Sequence, residues 1–346
     1  MIAVTLKSNQ LISVKSAAQD PPRWQSALAQ AITDPKELLD VLHIPESWLP
    51  AAREASRRFP LRVPRGFVAR MQPGNPHDPL LMQVLPMSAE LEATPGFVID
   101  PVGDMASKIA DGVLHKYDGR MLLIATGACG VHCRYCFRRH FPYGDESASA
   151  DQWQLAVQAI RTDPSINEVI LSGGDPLTLN DRRLRQLTDA LQLIPHVKRL
   201  RIHTRQPVVL PERVDAGLME WLDSVSLQKV IVLHVNHAQE IDASVRDACD
   251  QLRNTGVTLL NQSVLLKGIN DSIAALSTLS EALFDAGVLP YYLHLLDRVQ
   301  GAAHFDVGEQ QATDLMRQLL THLPGYLVPR LVRETPGGAS KTPVPF

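Results

Sequence analysis

The sequence predicts an α/β fold built on a parallel sheet, and three observations support this prediction. From about residue 105 onward, apolar β-branched segments of about six residues alternate with longer segments of helical periodicity. Turn residues separate the two kinds of segment, as expected for strand and crossover-helix units. The chain has 346 residues, of which 45% are hydrophobic and 21% charged, so it can bury a sizeable core. The pattern fits either a doubly wound sheet or a sheet that closes toward a barrel.

The N-terminal region, residues 1–104, contains 13 of the 25 prolines. Proline interrupts the interior of a helix, so helices in this region should be short. Amphipathic spacing predicts two of them, at residues 24–32 and 35–42. We therefore expect a mainly helical, proline-rich N-terminal extension.

Six repeating units follow this extension. The predicted strands span residues 121–126, 168–172, 199–204, 229–235, 258–265 and 289–296. The predicted helices span residues 150–161, 181–193, 212–223, 239–254, 272–286 and 307–322. In folds of this class the chemistry lies at the carboxyl ends of the strands.

Each predicted strand carries polar or metal-binding residues at or near its carboxyl end. In chain order they are Cys129, Cys133, Cys136 and Arg138; Gly173, Gly174 and Asp175; His203 and Arg205; His234, Asn236 and His237; Asn261 and Gln262; Asp297 and Arg298. A single polar strand end is more often only a solvated loop. Six in succession predict a functional site at this edge of the sheet.

Charge and hydropathy narrow the class of partner. The formal net charge of -3 argues against a broad nucleic-acid surface. No apolar run reaches the roughly 18 residues of a membrane span, and the N-terminus lacks the pattern of a secretory signal. We expect a cytoplasmic protein with neither a membrane nor a nucleic acid as partner. In that compartment four cysteines, three of them clustered, indicate metal binding or redox chemistry rather than disulfides.

The clustered cysteines, Cys129, Cys133 and Cys136, have the spacing C-x3-C-x2-C. Two metal centres fit this spacing about equally. Zinc would take His140 as a fourth ligand in a Cys3His site. A [4Fe-4S] cluster would leave one iron without a protein ligand and open to a small molecule. The six-unit α/β domain and its polar strand ends favour the reactive iron centre.

The cysteine motif, followed by the aromatic Phe137, resembles the signature of the radical S-adenosylmethionine enzymes. This resemblance implies a partial (β/α)6 barrel, similar to an open TIM barrel, with the cluster on the loop after its first strand. It implies that the open iron binds S-adenosylmethionine. The stretch LSGGDPL at residues 171–177 looks like the family's glycine-rich segment beside the methionine group. That segment supplies three expected cofactor contacts, namely Gly173, Gly174 and Asp175.

Further along the chain, six segments are similar to the lysine 2,3-aminomutase branch of this family. They are RRHFPYGD, LSGGDPL, HVNHAQE, NQSVLLKGIND, PYYLHLLD and PGGASKTP. Members of the branch also bind pyridoxal phosphate as a Schiff base to a lysine near the C-terminus, which corresponds here to Lys341. The resemblance divides the chain into the extension at 1–104, a radical S-adenosylmethionine barrel at 105–330 and a lysine-bearing tail at 331–346.

The resemblance assigns further site residues. Those expected near pyridoxal phosphate or the nucleoside are Lys116, Tyr117, Arg120, His234, Asn261 and Gln262. Arg138 matches the arginine that pairs with the substrate carboxylate. Asp297 matches one carboxylate that binds the lysine ε-ammonium group. The second acidic position is Glu334, which departs from the branch's aspartate by about one methylene and keeps the charge.

The activity that the resemblance implies is L-lysine 2,3-aminomutase, which forms (R)-β-lysine with a [4Fe-4S] cluster, S-adenosylmethionine and pyridoxal phosphate. The chain is most similar to short members that supply β-lysine for modification of translation elongation factor P. The expected partners are L-lysine, an electron donor such as a reductase, and the enzyme that ligates lysyl groups to elongation factor P. Two alternatives stay open: a radical enzyme acting on another amino acid or without pyridoxal phosphate, and a non-catalytic Cys3His zinc protein.

Overall fold

The structure is a computed structural model and describes residues 22–143 and 150–346. Its strands form one sheet in which each strand neighbours the next in the chain. They are β1 (Lys108–Ala110), β2 (Val113–Tyr117), β3 (Arg120–Thr126), β4 (Glu168–Gly173), β5 (Arg199–Thr204), β6 (Gln228–Leu233), β7 (Thr258–Val264), β8 (Leu289–His294), β9 (Arg330–Arg333) and β10 (Thr342–Pro343). β3 to β9 run parallel, and β1, β2 and β10 are antiparallel additions.

This sheet is the partial (β/α)6 barrel. All six predicted strands are present as β3 to β8, in parallel register and with boundaries within two residues of those predicted. A parallel strand covered by helices can be buried on both faces, whereas a strand whose one face lines a cavity alternates, as β5 and β7 do. In β4, by contrast, five consecutive residues are buried.

Eleven α-helices occur in the described residues, besides several short 3₁₀ helices. They are α1 (Arg23–Ala29), α2 (Pro35–Val41), α3 (Leu49–Arg58), α4 (Arg65–Val68), α5 (Ala150–Thr162), α6 (Asp181–Gln192), α7 (Gln206–Val209), α8 (Ala216–Ser224), α9 (Ala243–Asn254), α10 (Ile273–Asp285) and α11 (Glu309–His322). None of these described helices is long and apolar enough to cross a bilayer.

Two helices begin four residues later than predicted. The expected helix at 212–223 begins only at Ala216, because Asp215 caps it by accepting from the Leu218 amide at 3.0 Å. The expected helix at 239–254 begins only at Ala243, where Asp242 caps the Val245 amide in the same way. In both cases the preceding residues form a separate single turn.

The N-terminal extension packs directly on the loop that carries the cysteines. Its own core includes the buried side chains of Trp24, Phe67 and Leu81. The same cluster contains Val131 from the cysteine loop and Val209 from α7. Helices in this region are short, as the prolines predict, and the domain boundaries drawn from the sequence remain predictions.

Four short strands were not predicted. β1 and β2 form a hairpin in front of the barrel, and β9 extends the parallel sheet beside β8. The first three residues of the expected tail, 331–333, therefore belong to the sheet. β10 folds back antiparallel onto β9, with Thr342 opposite Arg333.

Candidate active site

A cavity of about 790 Å³ extends through the barrel, from Arg120 at the start of β3 to the residues at the carboxyl ends of the strands. Of the residues expected to bind the cluster, a cofactor or the substrate, all except Asn261 line it, whereas three of the polar strand-end residues, Asn236, His237 and Arg298, do not. Its volume is in the range of small-molecule and cofactor sites. The topology therefore brings together residues that are up to 225 positions apart in the sequence, from Lys116 to Lys341.

The cysteine loop begins directly after β3 and is held by the N-terminal extension. The amides of His132 and Arg134 donate to the carbonyls of Arg62 and Gln83, both at 2.9 Å. All three cysteines are partly buried and free of disulfides. The extension thus fixes the backbone that presents the thiols.

Glu90 of the extension adds a buried ionic clamp. It accepts from Arg134 Nε at 2.8 Å and from Arg139 Nη2 at 2.7 Å. Both arginines belong to the cysteine loop. No motif in the sequence marks a role for Glu90 or Arg139. Arg139 is nearly buried, with 3% of its side chain exposed.

The three thiols fit an iron–sulfur cluster, whose irons take cysteine thiolates as ligands. Burial, together with the nearby cysteines, raises the pKa of Cys136 to about 11 and raises that of Cys129 as well. A bound cationic centre is what converts such thiols to thiolates. Within residues 22–143 and 150–346, no group of three His, Cys, Asp or Glu side chains is arranged to hold a single ion. A cluster is larger than an ion and takes ligands that lie further apart.

His140, the fourth ligand of the zinc alternative, does not take part in the cysteine site. Its Nε2 lies 3.1 Å from the Gln300 carbonyl, and the residue is exposed. The Cys3His arrangement is therefore absent from the described residues. The thiols leave room for a cluster whose remaining coordination is not supplied by this histidine.

The glycine-rich segment packs against the cysteine loop. A Cβ atom on Gly174 would lie 2.3 Å from the Ala128 carbonyl oxygen, and one on Gly173 would lie 2.6 Å from the Thr126 oxygen. Gly173 also has a φ of +114°, which side-chain-bearing residues rarely adopt. The glycines therefore allow a close approach to the protein's own backbone, in addition to lining the cavity.

Asp175 requires a correction. We expected a cofactor contact, but the protein itself uses its carboxylate. The oxygens accept from the Thr204 hydroxyl at 2.7 Å and from the amides of Arg205, Gln206 and Leu177 at 2.7 to 3.0 Å. These bonds tie the end of β4 to the end of β5, so the side chain positions the site rather than offering a free ligand group.

Lys341 and Glu334 form an ion pair inside the cavity. Lys341 Nζ donates to Glu334 Oε2 at 2.9 Å, and the Tyr117 hydroxyl donates to Glu334 Oε1. Burial alone would raise the pKa of Glu334, but Lys341, Tyr117 and Lys116 together lower it below its usual value. Pairing of β9 with β10 brings the two residues together. Glu334 directly follows β9, and Lys341 directly precedes β10.

Asp297 follows β8, and its pKa is shifted in the opposite direction from that of Glu334. Burial, reinforced by the neighbouring Glu334, raises its pKa to about 7, while Lys341 opposes the shift. A cation beside such a buried carboxyl group stabilises its ionised form. Asp297 and Glu334 together therefore form a site for a positively charged group.

Arg138 is paired with a carboxylate that the sequence did not identify. Its Nε donates to Asp104 Oδ2 at 2.6 Å, and its Nη1 donates to Ser172 Oγ at 3.0 Å. Lys116 Nζ lies 2.6 Å from the other oxygen of Asp104. No motif marks Asp104, which stands at the end of the extension. Its role could not be recognised without the fold.

The expected pyridoxal phosphate contacts Lys116, Tyr117 and Arg120 lie on strands. Lys116 and Tyr117 end β2, and Arg120 begins β3 with its guanidinium over the Tyr117 ring at 4.9 Å. Lys116 also donates to the Val102 carbonyl at 2.8 Å. All three line the cavity.

His234 and Gln262 also line the cavity, and Gln262 Nε2 lies 2.9 Å from His234 Nε2. Burial, with the nearby Arg205, lowers the pKa of His234 to about 3, so the ring stays neutral. Asn261 requires a correction, since side chains alternate along a strand and this one points away from the cavity. Its amide is used by the backbone of Val235 and by Ser263 Oγ.

Two histidines without an expected cofactor or substrate role, His203 and His294, also line the cavity. His294 is buried and His203 is partly buried, and the buried Nε2 atom of each has no hydrogen-bond partner in the described structure. Buried polar atoms are normally satisfied, so unpartnered ones at a cavity wall fit a polar organic ligand. The alternation of β5 could have identified His203 as cavity-facing; nothing comparable marks His294.

Comparison with known proteins shows the family to which the chain belongs. A sequence profile of the radical SAM superfamily matches residues 123–276, which include the cysteine loop and β3 to β7. The L-lysine 2,3-aminomutase of Escherichia coli K12 is 52% identical over 322 residues, covering 93% of this chain and 94% of that protein. The L-lysine 2,3-aminomutase of Haemophilus influenzae is 44% identical, covering 96% and 98%.

Among solved structures, a radical SAM methyltransferase from Sphaerobacter thermophilus aligns with a TM-score of 0.47 and 15% identity, covering 64% of this chain and 68% of that one. The sequence matches are far closer and extend over nearly the whole chain. This protein therefore belongs to the L-lysine 2,3-aminomutase family of the radical SAM superfamily.

Proposed function

We propose that the protein is an isomerase that converts L-lysine to (R)-β-lysine by moving the amino group from the α-carbon to the neighbouring carbon. The observation that carries this proposal is the pair of carboxylates, Asp297 and Glu334, in the same cavity as Arg138 and Lys341. A substrate with a carboxylate at one end and an ammonium group at the other matches this distribution of charge.

The enzymes of this family use a [4Fe-4S] cluster, S-adenosylmethionine and pyridoxal phosphate. When bound, these cofactors supply the cleavage of an unactivated C–H bond and a reversible covalent hold on the amino group. Cys129, Cys133 and Cys136 would bind the cluster, and Lys341 would bind pyridoxal phosphate. The cavity wall that includes Gly173, Gly174, His234 and Gln262 would contact the organic cofactors, and Lys116, Tyr117 and Arg120 would lie at the pyridoxal phosphate.

Arg138 would bind the substrate carboxylate. A guanidinium presents several donors in a fixed fork, which suits a planar anion. In the protein alone, Nε is engaged by Asp104 and Nη1 by Ser172, so the arginine is already oriented before substrate arrives. Because the guanidinium is already oriented, less conformational entropy is lost when the substrate binds.

The substrate's ε-ammonium group would lie between Asp297 and Glu334. Lys341 must lose a proton from Nζ before its amine can act as a nucleophile. Glu334 stabilises the protonated form, because it accepts from that nitrogen. When Lys341 no longer donates to Glu334, the carboxylate would be free to accept a hydrogen bond from the ammonium group of the substrate lysine.

The activity is tested with anaerobically reconstituted protein and lysine labelled with heavy nitrogen at the α-amino group. We expect β-lysine with the label on the β-carbon, identified by chromatography and mass spectrometry. Glutamate and alanine serve as competing substrates that lack a side-chain cation. Turnover of either at the rate of lysine would contradict a binding role for Asp297 and Glu334 and favour an aminomutase for another amino acid.

The metal content tests the proposed cofactor independently. Anaerobically purified protein should contain iron and acid-labile sulfide in equal amounts. A preparation that binds one zinc ion and no sulfide would contradict the enzyme function and favour the zinc-binding alternative.

We further propose that the β-lysine serves modification of translation elongation factor P, with an electron-donating reductase and the lysyl-ligating enzyme as functional partners in the cytoplasm. Thiols that must stay free for a cluster suit a reducing compartment. The test supplies purified ligating enzyme and elongation factor P with either lysine or the reaction product. Faster transfer of the product supports the link, and equal transfer of both contradicts it.

A further inference from the structure

Arg205 brings a buried positive charge to one of the cysteine sulfurs. It follows β5, and 5% of the residue is exposed. Its Nη1 donates to Cys133 Sγ at 2.8 Å and to the Tyr135 hydroxyl at 2.9 Å. A hydrogen bond from a guanidinium to a thiol sulfur is charge-assisted and directional.

The other half of the guanidinium is bound by an acid. Nη2 donates to Glu240 Oε2 at 2.9 Å and to Gln83 Oε1 at 2.7 Å. Glu240 is fully buried and also accepts from the amide of Asn236 at 2.9 Å. Arg205 therefore lies between the cysteine sulfur on one side and a fixed negative charge on the other.

The surroundings leave these charges poorly screened. Arg205 is buried, its guanidinium carbon lies 5.3 Å from the Phe67 ring centroid, and it contacts the partly buried Cys133 directly. Coulombic interactions are much stronger in such an interior than in water. A change of one unit of charge at Cys133 should be felt strongly by Arg205.

We propose that Arg205 is a positioning residue that sets the reduction potential of the cluster through Cys133, with Glu240 limiting the size of its effect. The proposal rests on the proposed role of Cys133 as a cluster ligand. In the step concerned, one electron passes from a one-electron reductant to the oxidised cluster, and no bond in the protein forms or breaks. The added electron makes the cluster more negative, so a cation and a hydrogen bond at its sulfur stabilise the reduced form.

A merely structural role for Arg205 gives a different expectation. In that case its loss would loosen the contacts of β5 with the extension and lower stability, without a directed shift of the potential. Arg213 provides the matched control. It is also a fully buried arginine in an ion pair, with Asp181 at 2.7 Å, and its other bonds go to the carbonyls of Leu177 and Leu179.

The experiment measures the midpoint potential of the reconstituted cluster by redox titration with electron paramagnetic resonance, in the wild type and in Arg205→Gln, Arg205→Lys, Glu240→Gln and Arg213→Gln. In Arg205→Gln we expect the one-electron equilibrium to shift at least tenfold toward the oxidised form, which is about 59 mV to lower potential. In Glu240→Gln we expect a shift to higher potential, because the charge that offsets Arg205 is gone. Arg205→Lys should fall between wild type and Arg205→Gln.

Opposite shifts in Arg205→Gln and Glu240→Gln, with no shift in Arg213→Gln, support the proposal. Unchanged potentials in both variants, or shifts in the same direction, overturn it. If Arg205→Gln does not retain a cluster, Arg205→Lys and Glu240→Gln decide by the same criterion. Failure of the proposed function is visible separately, since the wild-type protein would then hold no cluster or form no β-lysine.

Discussion

Lys341 Nζ and Glu334 Oε2 lie 2.9 Å apart across the turn between β9 and β10. The residue that we propose for pyridoxal phosphate thus neutralises the residue that we propose for the substrate ammonium group. Binding of the cofactor to Lys341 would remove the cation that neutralises Glu334. The Glu334 carboxylate could then pair with a second cation, such as the ammonium group of the substrate. We therefore expect lysine to bind more tightly to the protein that already carries pyridoxal phosphate than to the protein without it.

Replacement of Lys341 by alanine should abolish covalent retention of pyridoxal phosphate. Borohydride reduction followed by peptide mass analysis should find the cofactor's mass on the peptide with Lys341 in the wild type and on no peptide in the variant. The melting temperature should fall, because Glu334, whose side chain is 10% exposed, loses one of its cationic partners. Lys36→Ala, a change on the surface of α2, is the control and should retain the label. A label that persists in Lys341→Ala would assign the cofactor to another lysine.

Replacement of Glu334 by glutamine should raise the KM for lysine. A hydrogen bond to a charged group contributes about 1.5 to 3 kcal/mol, which corresponds to roughly a tenfold to hundredfold change. Glu334→Asp keeps the charge and should lose less. Steady-state kinetics with both variants measure the difference, and an unchanged KM in Glu334→Gln would remove this residue from the substrate site.

Asp297 should make the stability of the cofactor-free protein depend on pH. Its pKa is about 7 in the folded protein and 3.8 in an unperturbed carboxyl, so between these values the folded state binds more protons. The contribution of Asp297 to the free energy of unfolding should therefore be largest below pH 4. This contribution should be lost as the pH rises through 7. The slope is at most about 1.4 kcal/mol per pH unit.

Denaturant titrations of wild type and Asp297→Asn from pH 5 to pH 8 isolate this effect, because the other titrating groups are common to both proteins. The variant should lack the slope. Parallel curves for the two proteins would mean that the carboxyl of Asp297 ionises normally.

Cys136→Ala should abolish the brown colour, the iron content and the turnover of the reconstituted enzyme. Cys249→Ala is the matched control. It removes a sulfur from the buried face of α9, far from the cysteine loop in sequence, and should cost roughly 1 kcal/mol of stability while the iron content stays unchanged. Iron analysis of both variants is the measurement, and iron retained by Cys136→Ala would contradict its role as a ligand.

The barrel could be predicted from the sequence because its signals are local. Each of β3 to β8 is a short segment with apolar residues, continuous in β4 and alternating in β5, next to a segment of helical period. Only two helix starts differed from the prediction by as much as four residues, those capped by Asp215 and Asp242. β9 and β10 gave no such signal, since Arg330 and Arg333 bound the first and the second has two residues. These two strands form because β8 and β9 offer them a free edge to pair with, and not because of their own amino-acid composition.

The site was predictable where a motif or a strand end marked the residue. The three cysteines, Lys341 and Asp297 all line the cavity as expected. Asn261 was assigned wrongly because neighbouring positions on a strand face opposite sides, and the sequence alone did not decide between it and Gln262. Asp104 and Glu90 act through contacts with distant arginines, and no pattern along the chain marks them.

Glu90 makes the cysteine loop and the N-terminal extension thermodynamically dependent on each other. One carboxylate holds two arginines of the loop, so any event that releases the loop also removes a contact on which the extension relies. A bound cluster that prefers the ordered loop then acts as a ligand for residues 22–104 too. Loss of iron and opening of the extension become linked equilibria, in which each lowers the free energy needed for the other.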